Sequence, residues 1–250
     1  MQYEVRSRLR RIEAAERRAL AKKPPKSDIK ARLREKVPQG VRKSLTAAFE
    51  KAFGLLFLNC GGVISMSFDR EKLVREFCGQ DALAEKTRSL NGMERLRRSL
   101  ALGQLKNGAA TAAAGAGLGF LGLGLPDIPL LTATMLKGLY ELASGYGYDF
   151  DSQEEQLYIL RLIRAALAAG DERAALSRLL DLPPERTEDM GAEIAAASEA
   201  LADALLAEKF IQGIPLIGAV GGIVNGRLYG RISRLAAMKY EKRYLMSRLR

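Results

Sequence analysis

Gly218-Ala219-Val220-Gly221-Gly222-Ile223-Val224-Asn225-Gly226-Arg227-Leu228-Tyr229-Gly230 is the stretch that decides the fold. Glycine recurs every four residues, at 218, 222, 226 and 230, so on an α-helix these positions form one bare stripe. Each glycine inside a helix costs roughly 1 kcal/mol against alanine. Four in register must be offset, and close approach of a second helix backbone is the usual compensation. A matching run lies upstream, Ala109 to Leu125, where Gly108, Ala112 and Ala116, and again Gly115 and Gly119, repeat small side chains at similar spacing. The pattern predicts two glycine-rich helices, about 109–122 and 216–230, packed closely through Gly115, Gly119, Gly218, Gly222, Gly226 and Gly230.

Outward from these stripes the periodicity is helical throughout. Residues 1–23 are helical in composition and end at Pro24-Pro25; a short helix from Ser27 or Asp28 ends near Pro38-Gln39-Gly40. Leu45, Ala48, Phe49, Ala52, Leu55 and Leu56 mark a core helix over 41–58. Residues 69–107 are amphipathic with a break near Asn91-Gly92. Asp127 and Pro129 open a helix over 130–144, the former as cap and the latter in the first turn. Ser152 and Glu155 form a capping box before Leu157, Leu160, Ile163, Ala166 and Leu167, and Gly170 suits the helix end. A short helix to Leu180, a longer one over 187–210 and a last one over 216–249 complete the chain. No period-2 alternation appears, so the expected class is all-α, with a basic N-terminal arm (1–40) and one helical domain (41–250).

Composition excludes several chemistries. The 250 residues contain no His and no Trp, which removes a Ser-His-Asp triad and any His-ligated metal. Cys60 and Cys78 cannot hold zinc alone and read as reduced thiols, hence a reducing compartment. No phosphate-cradling or dinucleotide motif is present. The net charge of +11 is uneven: residues 1–43 carry fifteen Lys and Arg against five acids, and 227–250 carry eight against one. Such ends attract anionic lipid or nucleic acid, although Glu13 and Glu16 interleave with the first set as on an ordinary solvated helix. The longest apolar runs, 52–68 and 109–125, hold 17 residues each. At 1.5 Å per residue that is about 25 Å, short of a bilayer core of about 30 Å, which favours an interfacial or buried role over spanning.

The run Pro126-Asp127-Ile128-Pro129, the motif Tyr146-Gly147-Tyr148-Asp149, the capped helix with Glu155 and Tyr158, and the second block Ile214-Pro215 to Asn225 resemble, in order and separation, the EcsC family. That bacterial family takes its name from a gene beside an ABC transporter and has no established catalytic activity. The resemblance implies an all-α domain and, by association alone, a link to membrane transport.

Asp127, Tyr146, Asp149 and Asn225 are the candidate ligand-binding residues, each with a structural alternative: a helix cap for Asp127, a turn for Tyr146 and Asp149, and an interhelical hydrogen bond for Asn225. No catalytic residue, metal site or cofactor is implied. The expected function is a non-enzymatic accessory protein bound peripherally to an anionic membrane at the cytoplasmic face, with a transporter subunit as a further partner. A carrier or enzyme with an apolar cleft between the glycine-rich helices is the alternative, and nucleic-acid binding through the arm is the third reading. If the glycine stripes are an interface, Gly222→Leu should cost about 1–3 kcal/mol by overpacking; a denaturation midpoint equal to wild type would dissolve the interface.

Overall fold

The computed structural model describes residues 1–21, 37–58, 64, 67–119, 127–182, 189–211 and 222–249; for 20–21, 58, 110–119, 127, 210–211 and 222–225 the description covers the backbone only. Among the described residues every element is helical and no strand occurs: α1 (Gln2–Ala21), α2 (Gln39–Leu58), α3 (Arg70–Thr87), α4 (Asn91–Gly119), α5 (Asp127–Gly145), α6 (Gln153–Leu167), α7 (Gly170–Leu179), α8 (Met190–Ile211) and α9 (Gly222–Ser247). The expected break at Asn91-Gly92 separates α3 from α4, where Arg88 adopts a left-handed cap with φ 53°. Gly108 does not interrupt α4, which runs on into the small-residue stretch.

Two helices organise the rest. In α6, Leu157, Ile159, Leu160, Leu162 and Ile163 are all fully buried, so every side of the helix is covered. An all-round apolar helix must be enclosed, and α7, α8 and α9 enclose it. The second organiser is α9, which touches α1, α4, α5, α6 and α8. It runs antiparallel to α4: Tyr229, near its start, bonds Gln104, while Tyr244 and Leu245, near its end, share a groove with Asn91 and Met93.

The α4–α9 contact is the most extensive in the fold, but its described part is not glycine on glycine. A Cβ on Gly108 would lie 3.3 Å from the Tyr229 ring, and one on Gly138 of α5 would collide with the Tyr229 hydroxyl. Tyr229 thus fills the gap that the glycines leave. Gly230 corrects the expectation: a Cβ there would meet only the Arg234 guanidinium, at 4.0 Å, so it faces open space and takes no part in close packing. Gly115, Gly119 and Gly222 lie on helical backbone, Gly226 is half-buried in α9, and Gly218 lies outside the described residues.

The first helix of the basic N-terminal segment packs against the domain. Val5 and Ile12 are buried and Leu9 half-buried, packing α1 on α9 and α7. Leu55, expected inward on α2, is exposed, while Leu45, Phe49, Ala52 and Leu56 are buried. The capping box is half made: Ser152 Oγ accepts from the Glu155 amide at 3.3 Å, but the Glu155 carboxylate is bonded elsewhere, to α9.

Gly138→Ala should cost about 1–3 kcal/mol by forcing Tyr229 aside. Gly230→Ala should be neutral or gain up to about 1 kcal/mol from helix propensity. Equal chemical-denaturation midpoints for the two variants would remove Tyr229 as the wedge.

Candidate functional site

The motif after α5 wraps α9. Gly147 has φ +77°, a left-handed conformation, and a Cβ there would strike the Phe77 ring; only glycine allows both the turn and that contact. The turn presents Tyr146 and Tyr148 to Tyr240, with ring centroids 6.3 and 5.7 Å away, and Tyr158 closes on it edge-first at 5.5 Å. Tyr240 is fully buried, so its hydroxyl needs a partner, and it donates to Glu155 at 2.6 Å. Arg243, one turn on, donates to the other Glu155 oxygen at 2.6 Å and stacks over Tyr148 at 3.8 Å. Burial pushes the Glu155 carboxyl above the usual range even with Arg243 bound. Burial likewise raises the tyrosines, Tyr148 to about 12, so their hydroxyls stay protonated and offer no phenolate base.

A second polar cluster joins α1, α7 and α9. The Lys239 ammonium, 1% exposed, contacts Glu16 at 2.5 Å, Asp181 at 2.8 Å and the Ser177 carbonyl at 2.6 Å. Lys242 reaches the second oxygens of the same two carboxylates, Glu16 at 3.1 Å and Asp181 at 2.6 Å. Ser177 Oγ donates to Glu16 at 2.5 Å. Burial pushes Glu16 up, but Lys239, Ser177 and Lys242 together hold it below the usual carboxylate range. A serine, a lysine and a carboxylate in contact are also the parts of a nucleophile and its base. Here the serine, like Lys239, is 1% exposed, so no substrate reaches it and the cluster is an ion lock.

A groove of about 280 Å³ lies between α1, the start of α4 and the end of α9. Arg8 crosses it, bonding Glu241 at 2.6 Å and Glu94 at 3.5 Å. Tyr146 and Tyr244 form its floor. The groove mixes charged side chains with Tyr3, Met93, Tyr146 and Leu245; the apolar cleft expected between the glycine-rich helices falls on side chains mostly outside the described residues. Among the described residues no group of three His, Cys, Asp or Glu side chains is placed to hold a metal ion.

Of the four candidate residues, Tyr146 lines this groove. Asp149 stands apart from it: it is exposed, pairs with Arg70 at 2.8 Å, and its backbone and side chain build the turn into α6. The side chains of Asp127 and Asn225 lie outside those described. Sequence reasoning missed Glu16, Lys239, Lys242 and Arg243. The available signal was weak: Glu155 at the third position of a capped helix, and cations in α9 interleaved with tyrosines.

The outer face of α1 is the opposite case. Arg6, Arg10, Arg11, Arg17 and Arg18 are exposed on the side away from Val5, Ile12 and Glu16. None of the five is in an ion pair among the described residues, in contrast to Arg8 on the inner side.

Residues 4–245 match the EcsC protein family. The chain is 22% identical over 218 residues to Protein EcsC of Bacillus subtilis, covering 87% of this chain and 84% of that one. It is 28% identical over 150 residues to the uncharacterized protein YdbA of the same organism, covering 58% and 55%. No solved structure matches.

The ion lock makes a signed prediction. A carboxyl whose folded pKa is depressed contributes stability that is present above its unfolded value and lost as pH falls through the folded one. Glu16→Gln should therefore destabilise by about 3 kcal/mol at neutral pH, and the gap to wild type should close on acidification. Urea midpoints at neutral and acidic pH measure this; a gap independent of pH would mean that Glu16 acts through shape alone.

Proposed function

The chain belongs to the EcsC protein family, and on that footing we propose that it is a non-enzymatic accessory protein that docks peripherally on an anionic membrane surface. The observation that carries this reading is the outer face of α1, five exposed arginines with no carboxylate partner among the described residues. Each such cation near an anionic leaflet contributes about 1 kcal/mol, falling off within a Debye length of about 8 Å. Charge placement narrows the sequence-based expectation of two basic ends. Lys239, Lys242, Arg243 and Arg248 are bound to Glu16, Asp181, Glu155, Asp81 and Glu85, and Arg227 lies 3.6 Å from Glu208. The C-terminal positive charge is largely neutralised within the fold, and α1 holds the larger unpaired share. Among the described residues no helix is long and apolar enough to cross a membrane.

Deleting residues 1–40 would remove Val5, Ile12 and Glu16 from the core, so point variants are the cleaner test. Arg6→Gln, Arg10→Gln and Arg17→Gln together should lower affinity for phosphatidylserine vesicles about 100-fold at low salt, from about 3 kcal/mol of lost attraction. Binding should weaken with salt and be much weaker on neutral vesicles. Co-sedimentation equal on neutral and anionic vesicles would refute the electrostatic reading, and tight duplex binding without lipid binding would favour nucleic acid.

A further inference from the structure

The surface of α4 carries a feature that the α1 arginines do not explain. Leu102 and Leu105 are 61% and 71% exposed, one helical turn apart, among the most exposed large apolar side chains described. Scattered exposed leucines need no account, but these two share a face with Arg95, Arg98, Lys106 and Ala109, all exposed, and that face holds no exposed acid. Arg98 reaches Glu94 only loosely, at 3.7 Å, while Arg95 and Lys106 are in no ion pair among the described residues. Beyond Lys106 the sequence has no charged residue until Asp127. Apolar side chains ringed by long cations suit the boundary of an anionic bilayer, where leucines enter the acyl region and the cations stay among the headgroups.

We propose that the 95–109 face of α4 is the membrane-inserting element, seating Leu102 and Leu105 below the phosphates of an anionic leaflet. This rests on the peripheral docking proposed above and assigns its apolar, salt-resistant part. The two helices are neighbours: α1 and α4 flank one groove bridged by Arg8 and Glu94. The cations supply attraction at a distance; the leucines supply retention once the surface is reached.

The chain has no Trp, so a single Leu105→Trp substitution reports depth directly, with Leu182→Trp, exposed at the end of α7, as control. On phosphatidylserine vesicles, Leu105→Trp emission should shift to the blue and be quenched by acyl-brominated lipid, and the control should do neither. Leu102→Asn with Leu105→Asn should lower vesicle affinity at high salt about ten-fold or more, while Arg6→Gln, Arg10→Gln and Arg17→Gln should act mainly at low salt. Wild-type binding with an unshifted, unquenched Leu105→Trp probe would overturn the insertion and leave peripheral docking standing. A blue shift without lipid, rising with protein concentration alongside a doubled mass, would overturn it in favour of a second copy of the chain. Failure of wild type to bind anionic vesicles would overturn both.

Discussion

A lysine ammonium buried to 1% exposure inside a helical core is the constraint that orders this molecule. Taking the Lys239 charge out of water costs several kcal/mol, and the cost is offset only if anions meet it at hydrogen-bonding distance. Glu16 and Asp181 do so, the first from α1 and the second from the turn after α7, and Lys242 balances their remaining charge. Next to them on the same helix, Arg243 and Tyr240 do the converse, satisfying a carboxylate that α6 buries at Glu155. Together these two locks allow α9 one angular setting among its neighbours. A rotation that saved one would strand the charges of the other.

The aromatic packing follows from that setting. With Tyr240 fixed by Glu155, the turn at Gly147 must pass close enough to lay Tyr146 and Tyr148 against it, which is why a left-handed residue stands there. Nearer the start of α9, Tyr229 occupies space left by Gly108 and Gly138 and ties Gln104 to the α5 backbone through a shared hydrogen-bond chain. Small residues on two helices serve here as a socket for a large one on a third, a form of ridge-and-groove packing.

Much of the helical architecture was legible because amphipathic periodicity is local. The boundaries of α2, α6 and α7, the break before α4 and the cap at Ser152 all follow from residues within a few positions of one another. The ion locks were not legible, since the worth of Lys242 depends on Glu16, 226 residues away, and in the sequence both look like ordinary surface residues. For the same reason α1 read as an arm: Val5, Leu9 and Ile12 make a stripe too narrow to announce a core contact, and Glu16 completes it only through charges on α9. Tyr146 and Asp149 were visible as a motif, but only the fold separates them, one to the groove floor and the other to a surface clip with Arg70. Glycine spacing marks costly helical positions but not what approaches them, and Gly230, which meets open space, shares the spacing of the others.

The clasp between α1 and α9 has a consequence for how the chain comes into being. On the ribosome α1 emerges before α9, and the lysines that receive Glu16 follow more than two hundred residues later. At synthesis rates of about 5–20 residues per second, that interval lasts on the order of 10–50 s. Throughout it Val5 and Ile12 have no α9 to cover them, beside arginines that already face outward. The nascent chain therefore carries the apolar stripe of α1 and its outward arginines well before the helix that later covers that stripe is made.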